Sequence, residues 1–149
     1  MALLDLIRPD IIKVPLLSQN KNDVIRELIQ ILIDTGKVSD MERINNALLD
    51  REALGSTGLE HGIAVPHTKI DMIKELQVSI GISPAGIDFQ ALDGKPSYLF
   101  FLLLASPGQS GPHIEALADI ARITRSQAFY EALINATSAQ GVVDLFNEG

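Results

Sequence analysis

Three histidines and one arginine carry the chemistry this sequence could perform: His61, His67, His113 and Arg51. His61 and His67 lie in the stretch GLEHGIAVPHTKID, on either side of a short apolar run and a proline. Such a pair reads as part of a metal site, as one reactive imidazole beside a bystander, or as two ordinary turn residues. His67 follows Pro66, which restricts the backbone before it and holds the side chain at the end of an apolar segment, a place where loops often carry function. The competing reading is a histidine that makes one structural hydrogen bond in a turn. His61, between Glu60 and Gly62, is expected to face solvent.

His113 stands in SPGQSGPHIEALADIARI, where Pro112 suits the first turn of a helix. Leu117 and Ile120 follow it at helical spacing, so the ring shares the apolar stripe and faces the protein body. It is either a core-edge histidine satisfied by a carbonyl or part of an anion site, because unpaired N–H groups and partial positive charge gather at a helix start. Arg51 extends the stripe of Met41, Ile44 and Leu48. A guanidinium aimed inward is costly unless it is paired or serves an anion. The alternatives are an arginine that snorkels to solvent or one that pairs with Glu52, Asp50 or Glu115. An inward arginine and two fixed histidines could surround a phosphate, although spacing alone does not bring them together.

These residues need a scaffold, and periodicity supplies one. KNDVIRELIQILIDTG carries Val24, Leu28, Ile31 and Leu32 at helical spacing, with Asn20 or Asn22 as N-cap and Gly36 as the stop. A second helix is predicted from a Ser39 cap through MERINNALLDRE. Short strands are predicted at Ile11 to Val14 and in GIAVPH, the latter ending at Pro66. QVSIGIS alternates as a half-buried strand does, SPAG turns the chain, Ile87 to Leu92 is a strand or an extended loop, and DGK turns it again. SYLFFLLLA is apolar on both faces, as a central strand must be. Helices follow from about Pro112 to Arg125, Ser126 to Ala136 and Ser138 to Phe146. The pattern predicts an α/β fold: a mixed β-sheet flanked by helices in a layered sandwich, formed by one domain over 1–149.

Composition excludes several function classes. A chain of 149 residues can bury roughly 70% of its unfolded surface without staples. There are no cysteines, which removes disulfides, thiolate metal sites and cysteine nucleophiles and suits the cytoplasm. A net charge of −7 and a pI near 4.8, with Lys and Arg scattered, argue against nucleic-acid binding. The start lacks a signal-peptide pattern, and no apolar run approaches the ~20 residues of a membrane span, so no direct membrane insertion is expected.

The stretch LLDREALGSTGLEHGIAVPHTK resembles the phosphorylation-site signature of the type 2 EIIA domains of the bacterial phosphoenolpyruvate-dependent sugar phosphotransferase system (PTS), of fructose, mannitol and nitrogen-regulatory kinds. Its marks are an Arg-Glu pair, a Ser-Thr-Gly turn and an apolar run into Pro-His. LFFLLLASPGQSGPHIEALADIAR is similar to that family's strand, loop and second histidine. The resemblance implies a phosphotransferase component in which His67 is the phosphoryl acceptor, His113 and Arg51 steady the phosphate, and Thr57 or backbone amides of the turn assist. It implies an HPr-like phosphocarrier protein as donor, an EIIB domain or protein as acceptor, and no metal or cofactor. One departure stands out: Glu60 occupies a position where the family often has glycine, and a carboxylate beside a phosphoimidazole disfavours the product unless it points away. Two other readings remain open. A nitrogen-regulatory EIIA would signal by its phosphorylation state, and a metallohydrolase would gather His61, His67 and His113 on one ion.

Overall fold

The run that is apolar on both faces becomes the strand on which the sheet is built. In the computed structural model, which describes residues 3–148, it forms β5 (Ser97–Ala105), buried at every position but Tyr98. On one side β5 pairs antiparallel with β4 (Gln77–Ile87), whose far edge takes β1 (Ile12–Lys13) in parallel. On the other side β2 (Ile63–Ala64) and β3 (His67–Lys69) follow one another along β5, both parallel to it. The sheet is therefore mixed, as expected.

β2 and β3 keep one register: Ile63 lies opposite Leu99 and His67 opposite Leu103. The strand predicted to end at Pro66 stops at Ala64, and pairing with β5 resumes at His67. The proline has no N–H to give, so the ladder misses a donor there while the Pro66 carbonyl still accepts from the Leu103 N–H at 3.0 Å. His67 thus opens a strand instead of trailing one. On the outer side of β2 the segment 57–59 folds back antiparallel. Leu59 N–H donates to the Ile63 carbonyl at 2.7 Å and Val65 N–H to the Thr57 carbonyl at 3.0 Å.

β4 departs from expectation twice. It runs through SPAG to Ile87, with an irregular register between Ile82 and Ile87, so that tetrapeptide does not turn the chain. It is also covered on both faces from Val78 to Ser83. The alternation marks two differently filled faces: the Ser79 hydroxyl donates to the Leu28 carbonyl of a covering helix at 2.9 Å, and Leu16 presses on Gly81. The DGK turn is present, with Gly94 at φ 71°.

Five helices pack on this sheet among the described residues. In α1 (Lys21–Asp34), Asn20 caps by accepting the Asp23 N–H at 2.9 Å, and Val24, Leu28 and Leu32 are buried. α2 (Met41–Ala53) is capped by Asp40 and not Ser39. Asp40 takes a left-handed φ of 69°, which a short carboxylate side chain tolerates, and accepts the Arg43 N–H at 3.3 Å. α3 (Ser110–Ile123) begins two residues before Pro112, which places His113 a full turn inside it. α4 (Gln127–Ile134) is capped by Ser126, and α5 (Ala139–Glu148) completes the fold. α1 and α4 lie against β4 and β5, α3 against β5, and α5 against β1. None of these helices is long and apolar enough to cross a membrane.

Candidate functional site

Pro66 spaces His67 two residues from Val65, and the half-buried ring turns back onto it: Nδ1 lies 2.7 Å from the Val65 carbonyl. A carbonyl can only accept, so the neutral ring carries its proton on Nδ1 and leaves the lone pair on Nε2. Strand pairing with β5 and this hydrogen bond together fix the imidazole.

His113 meets it from α3. The two ring centroids are 5.4 Å apart with planes at 71°, an edge-to-face contact. His113 is only 5% exposed, and its Nε2 is buried without a hydrogen-bond partner. Burial pushes its pKa down from the usual histidine value, and the nearby charges of His67 and Lys69 push the same way, so the neutral ring is favoured. Lys69, two residues along β3, donates from Nζ to the Ser110 hydroxyl at 3.0 Å at the start of α3.

Arg51 reaches the same place from the last turn of α2. With Ser56, Thr57, Leu59, His67 and Leu117 it lines a groove of about 260 Å³. Its Nη1 donates to the Gly55 carbonyl at 2.9 Å, which anchors the guanidinium on the turn that forms one wall. Sequence spacing alone could not unite these groups; the structure packs His113 against His67 and places Arg51 with His67 in one groove.

Thr57 also lines the groove, but its hydroxyl proton is committed. It donates to one oxygen of Glu52, while the Thr57 N–H donates to the other at 3.1 Å. Glu52 is the residue that sequence reasoning missed. Its side chain is 6% exposed and pairs with Lys21 of α1 at 2.9 Å. The available signal was its place in the Arg-Glu pair, where it read only as a possible partner for Arg51.

Comparison with known proteins accords with this geometry. The family model for the phosphoenolpyruvate-dependent sugar phosphotransferase system, EIIA 2, matches residues 5–149. The chain belongs to that family. Its EIIA components are phosphotransferases that work through a phosphohistidine. The chain is 32% identical to the fructose-specific EIIABC component of Bacillus subtilis over 99% of its own length, and spans 23% of that longer protein. It is 34% identical to a nitrogen regulatory protein of Bradyrhizobium diazoefficiens, covering 95% of this chain and 92% of the relative. The crystal structure of nitrogen regulatory protein IIA-Ntr from Neisseria meningitidis superposes with a TM-score of 0.89 at 26% identity, covering 98% of this chain and 99% of the other.

Within this EIIA fold the third histidine stands apart. His61 has a φ of 65°, its side chain is 80% exposed, and its N–H is held by Asp93 at 3.1 Å. Glu60 also faces solvent, 3.7 Å from the His61 ring, as expected for a carboxylate that must not oppose a phosphate. Among the described residues no three His, Asp or Glu side chains are grouped to hold a metal ion.

Proposed function

We propose that this EIIA chain takes a phosphoryl group from the phosphohistidine of an HPr-like carrier onto Nε2 of His67 and passes it to an EIIB acceptor during sugar uptake. The observation that carries this reading is the 2.7 Å contact between His67 Nδ1 and the Val65 carbonyl, which leaves Nε2 as the nucleophilic nitrogen in a groove shared with Arg51. In the first step the Nε2 lone pair attacks phosphorus in line. The donor's P–N bond breaks and its electron pair returns to the donor imidazole, with no change of oxidation state and no metal required. In the second step the P–Nε2 bond breaks toward a nucleophile of EIIB.

Charge accumulates on the equatorial oxygens in each transition state, where preorganised donors give the largest benefit. Arg51 offers guanidinium N–H groups. The buried nitrogen of His113 gains in the phosphoryl oxygen the partner it lacks in the free protein. Thr57 contributes as part of the wall, its proton being held by Glu52.

The groove also suits two partners met in turn. Leu54, Leu59 and Ile114 are large apolar side chains left exposed on the turn and beside His113. An open apolar rim favours small interfaces and brief complexes. A carrier serving these partners would work in the cytoplasm, the location this reading assigns to the chain.

Similarity to the Bradyrhizobium protein supports a second reading, in which the same phosphohistidine signals and no sugar permease is served. Incubation with phosphoenolpyruvate, enzyme I and HPr should load one acid-labile phosphate, read by mass, and His67→Ala should abolish it. Label surviving that substitution overturns the acceptor assignment. Rapid transfer onward to an EIIB protein would separate the transport reading from the regulatory one.

A further inference from the structure

Behind the groove lies a run of hydrogen bonds that ends on the reactive ring. The Glu52 carboxylate accepts the N–H and the O–H of Thr57. The Thr57 carbonyl accepts the Val65 N–H at 3.0 Å. The Val65 carbonyl accepts from His67 Nδ1 at 2.7 Å. On the other branch of the same turn, the Gly55 carbonyl holds Arg51 at 2.9 Å.

A carboxylate at the end of α2, bonded to this turn, is an expensive choice unless something requires its charge. An anion near a phosphate site raises the energy of the phosphorylated state, and a buried carboxylate loses hydration. Both costs are offset here by Lys21, which closes on Glu52 at 2.9 Å, donates to Oε1 of the Gln90 side chain at 3.2 Å, and lies over the Phe89 ring. What the charge provides is a pair of charge-assisted hydrogen bonds to one residue, stronger than a neutral acceptor would make. They fix both the backbone and the side chain of Thr57.

We infer that Glu52, neutralised by Lys21, is a positioning residue for phosphoryl transfer: it locks the 55–58 turn so that Arg51 and His67 Nε2 face one point. Glu52 touches neither ring, and its effect runs through Thr57. The inference rests on the reading of His67 as acceptor.

The test uses single-turnover transfer from phosphorylated HPr to the full chain at varied donor concentration. Glu52→Gln keeps the shape but weakens the clamp, and should lower the saturating rate constant by about tenfold to a hundredfold, the scale of a small misplacement of reacting groups. The donor concentration at half-saturation should not move. Thr57→Val should be slow and Thr57→Ser should restore the wild-type rate, since the hydroxyl and not the methyl makes the bond. The double variant Glu52→Gln with Thr57→Val should be no slower than Glu52→Gln alone, because both break one chain. If Glu52→Gln transfers at the wild-type rate or faster, Thr57 serves phosphate directly or not at all and the inference fails. It fails equally if Thr57→Ser is as slow as Thr57→Val. His67→Ala in the same assay keeps the two claims apart: label on that variant overturns the acceptor assignment, whereas an inert His67→Ala beside a fast Glu52→Gln overturns the clamp alone.

Discussion

His113 presents its ring edge to face against His67, 5.4 Å between centroids, from a position where its own Nε2 has no partner. A buried polar atom left unpaired costs about 1–3 kcal/mol, and native proteins keep few of them. Here the unpaired atom belongs to the ring packed against His67, the proposed acceptor. On the proposed function, a phosphoryl group on His67 would supply the partner that this nitrogen lacks in the free protein.

Loss of that group should slow the chemistry without unfolding the chain. Removing one preorganised donor costs about a hundredfold to a thousandfold in rate, and His113→Ala is expected in that range for transfer from phosphorylated HPr. Its circular dichroism and its binding of HPr should stay as in the wild type. Wild-type transfer in this variant would remove His113 from the mechanism.

Acid should weaken the fold through the same ring. The folded-state pKa of His113 lies below its ordinary 6.5, mainly because burial disfavours the charged form. Above 6.5 both folded and unfolded chains keep the ring neutral, and the contribution to stability is complete. As pH falls below 6.5 the unfolded chain takes up the proton first, so stability is lost until the folded pKa is passed. Melting temperatures from pH 8 to pH 5 should therefore fall more steeply for the wild type than for His113→Gln. Parallel curves would show that the ring does not contribute.

Arg51 should not be replaceable by lysine. The guanidinium bonds the Gly55 carbonyl through one nitrogen and keeps further N–H groups in a rigid fork, which an ammonium cannot reproduce. Arg51→Lys is expected to lose about tenfold or more in the saturating rate, with Arg51→Ala slower still. A transfer series with both variants decides whether charge alone suffices.

Gly62→Ala should destabilise the chain although it lies outside the groove. Gly62 has a φ of 80°, and an added Cβ would collide with the Tyr130 hydroxyl, which itself donates to the Gly62 carbonyl at 3.1 Å. Left-handed backbone and overpacking together cost about 2–4 kcal/mol. Urea denaturation would measure the loss.

Much of the scaffold was legible because its signals are local. α1 announces itself through apolar spacing and Asn20, and β5 through a run apolar on both sides. Errors arose where a local signal has two physical causes. Alternation in β4 reflects two covered faces and not one wet face, the strand at Ile63 stops before Pro66 and a second one opens at His67, and Asp40 outcompetes Ser39 by accepting a left-handed turn. His67, His113 and Arg51 were each marked by their placement as groups that could surround a phosphate, but distant elements must dock before His67 meets His113 and shares a groove with Arg51. Glu52 stayed hidden because a glutamate at a helix end ordinarily reads as solvated, and nothing local places Lys21 beside it.

The fold-back of residues 57–59 along β2 has a consequence beyond the chemistry. β2 lies at the end of the sheet, where unpaired backbone groups would invite a strand from another molecule. Thr57 and Leu59 occupy those groups from within the chain, and Pro66 leaves the next position without a donor. The segment that shapes the reactive groove also shields the sheet margin, so sequence changes that loosen it should be visible as loss of colloidal solubility in the crowded cell.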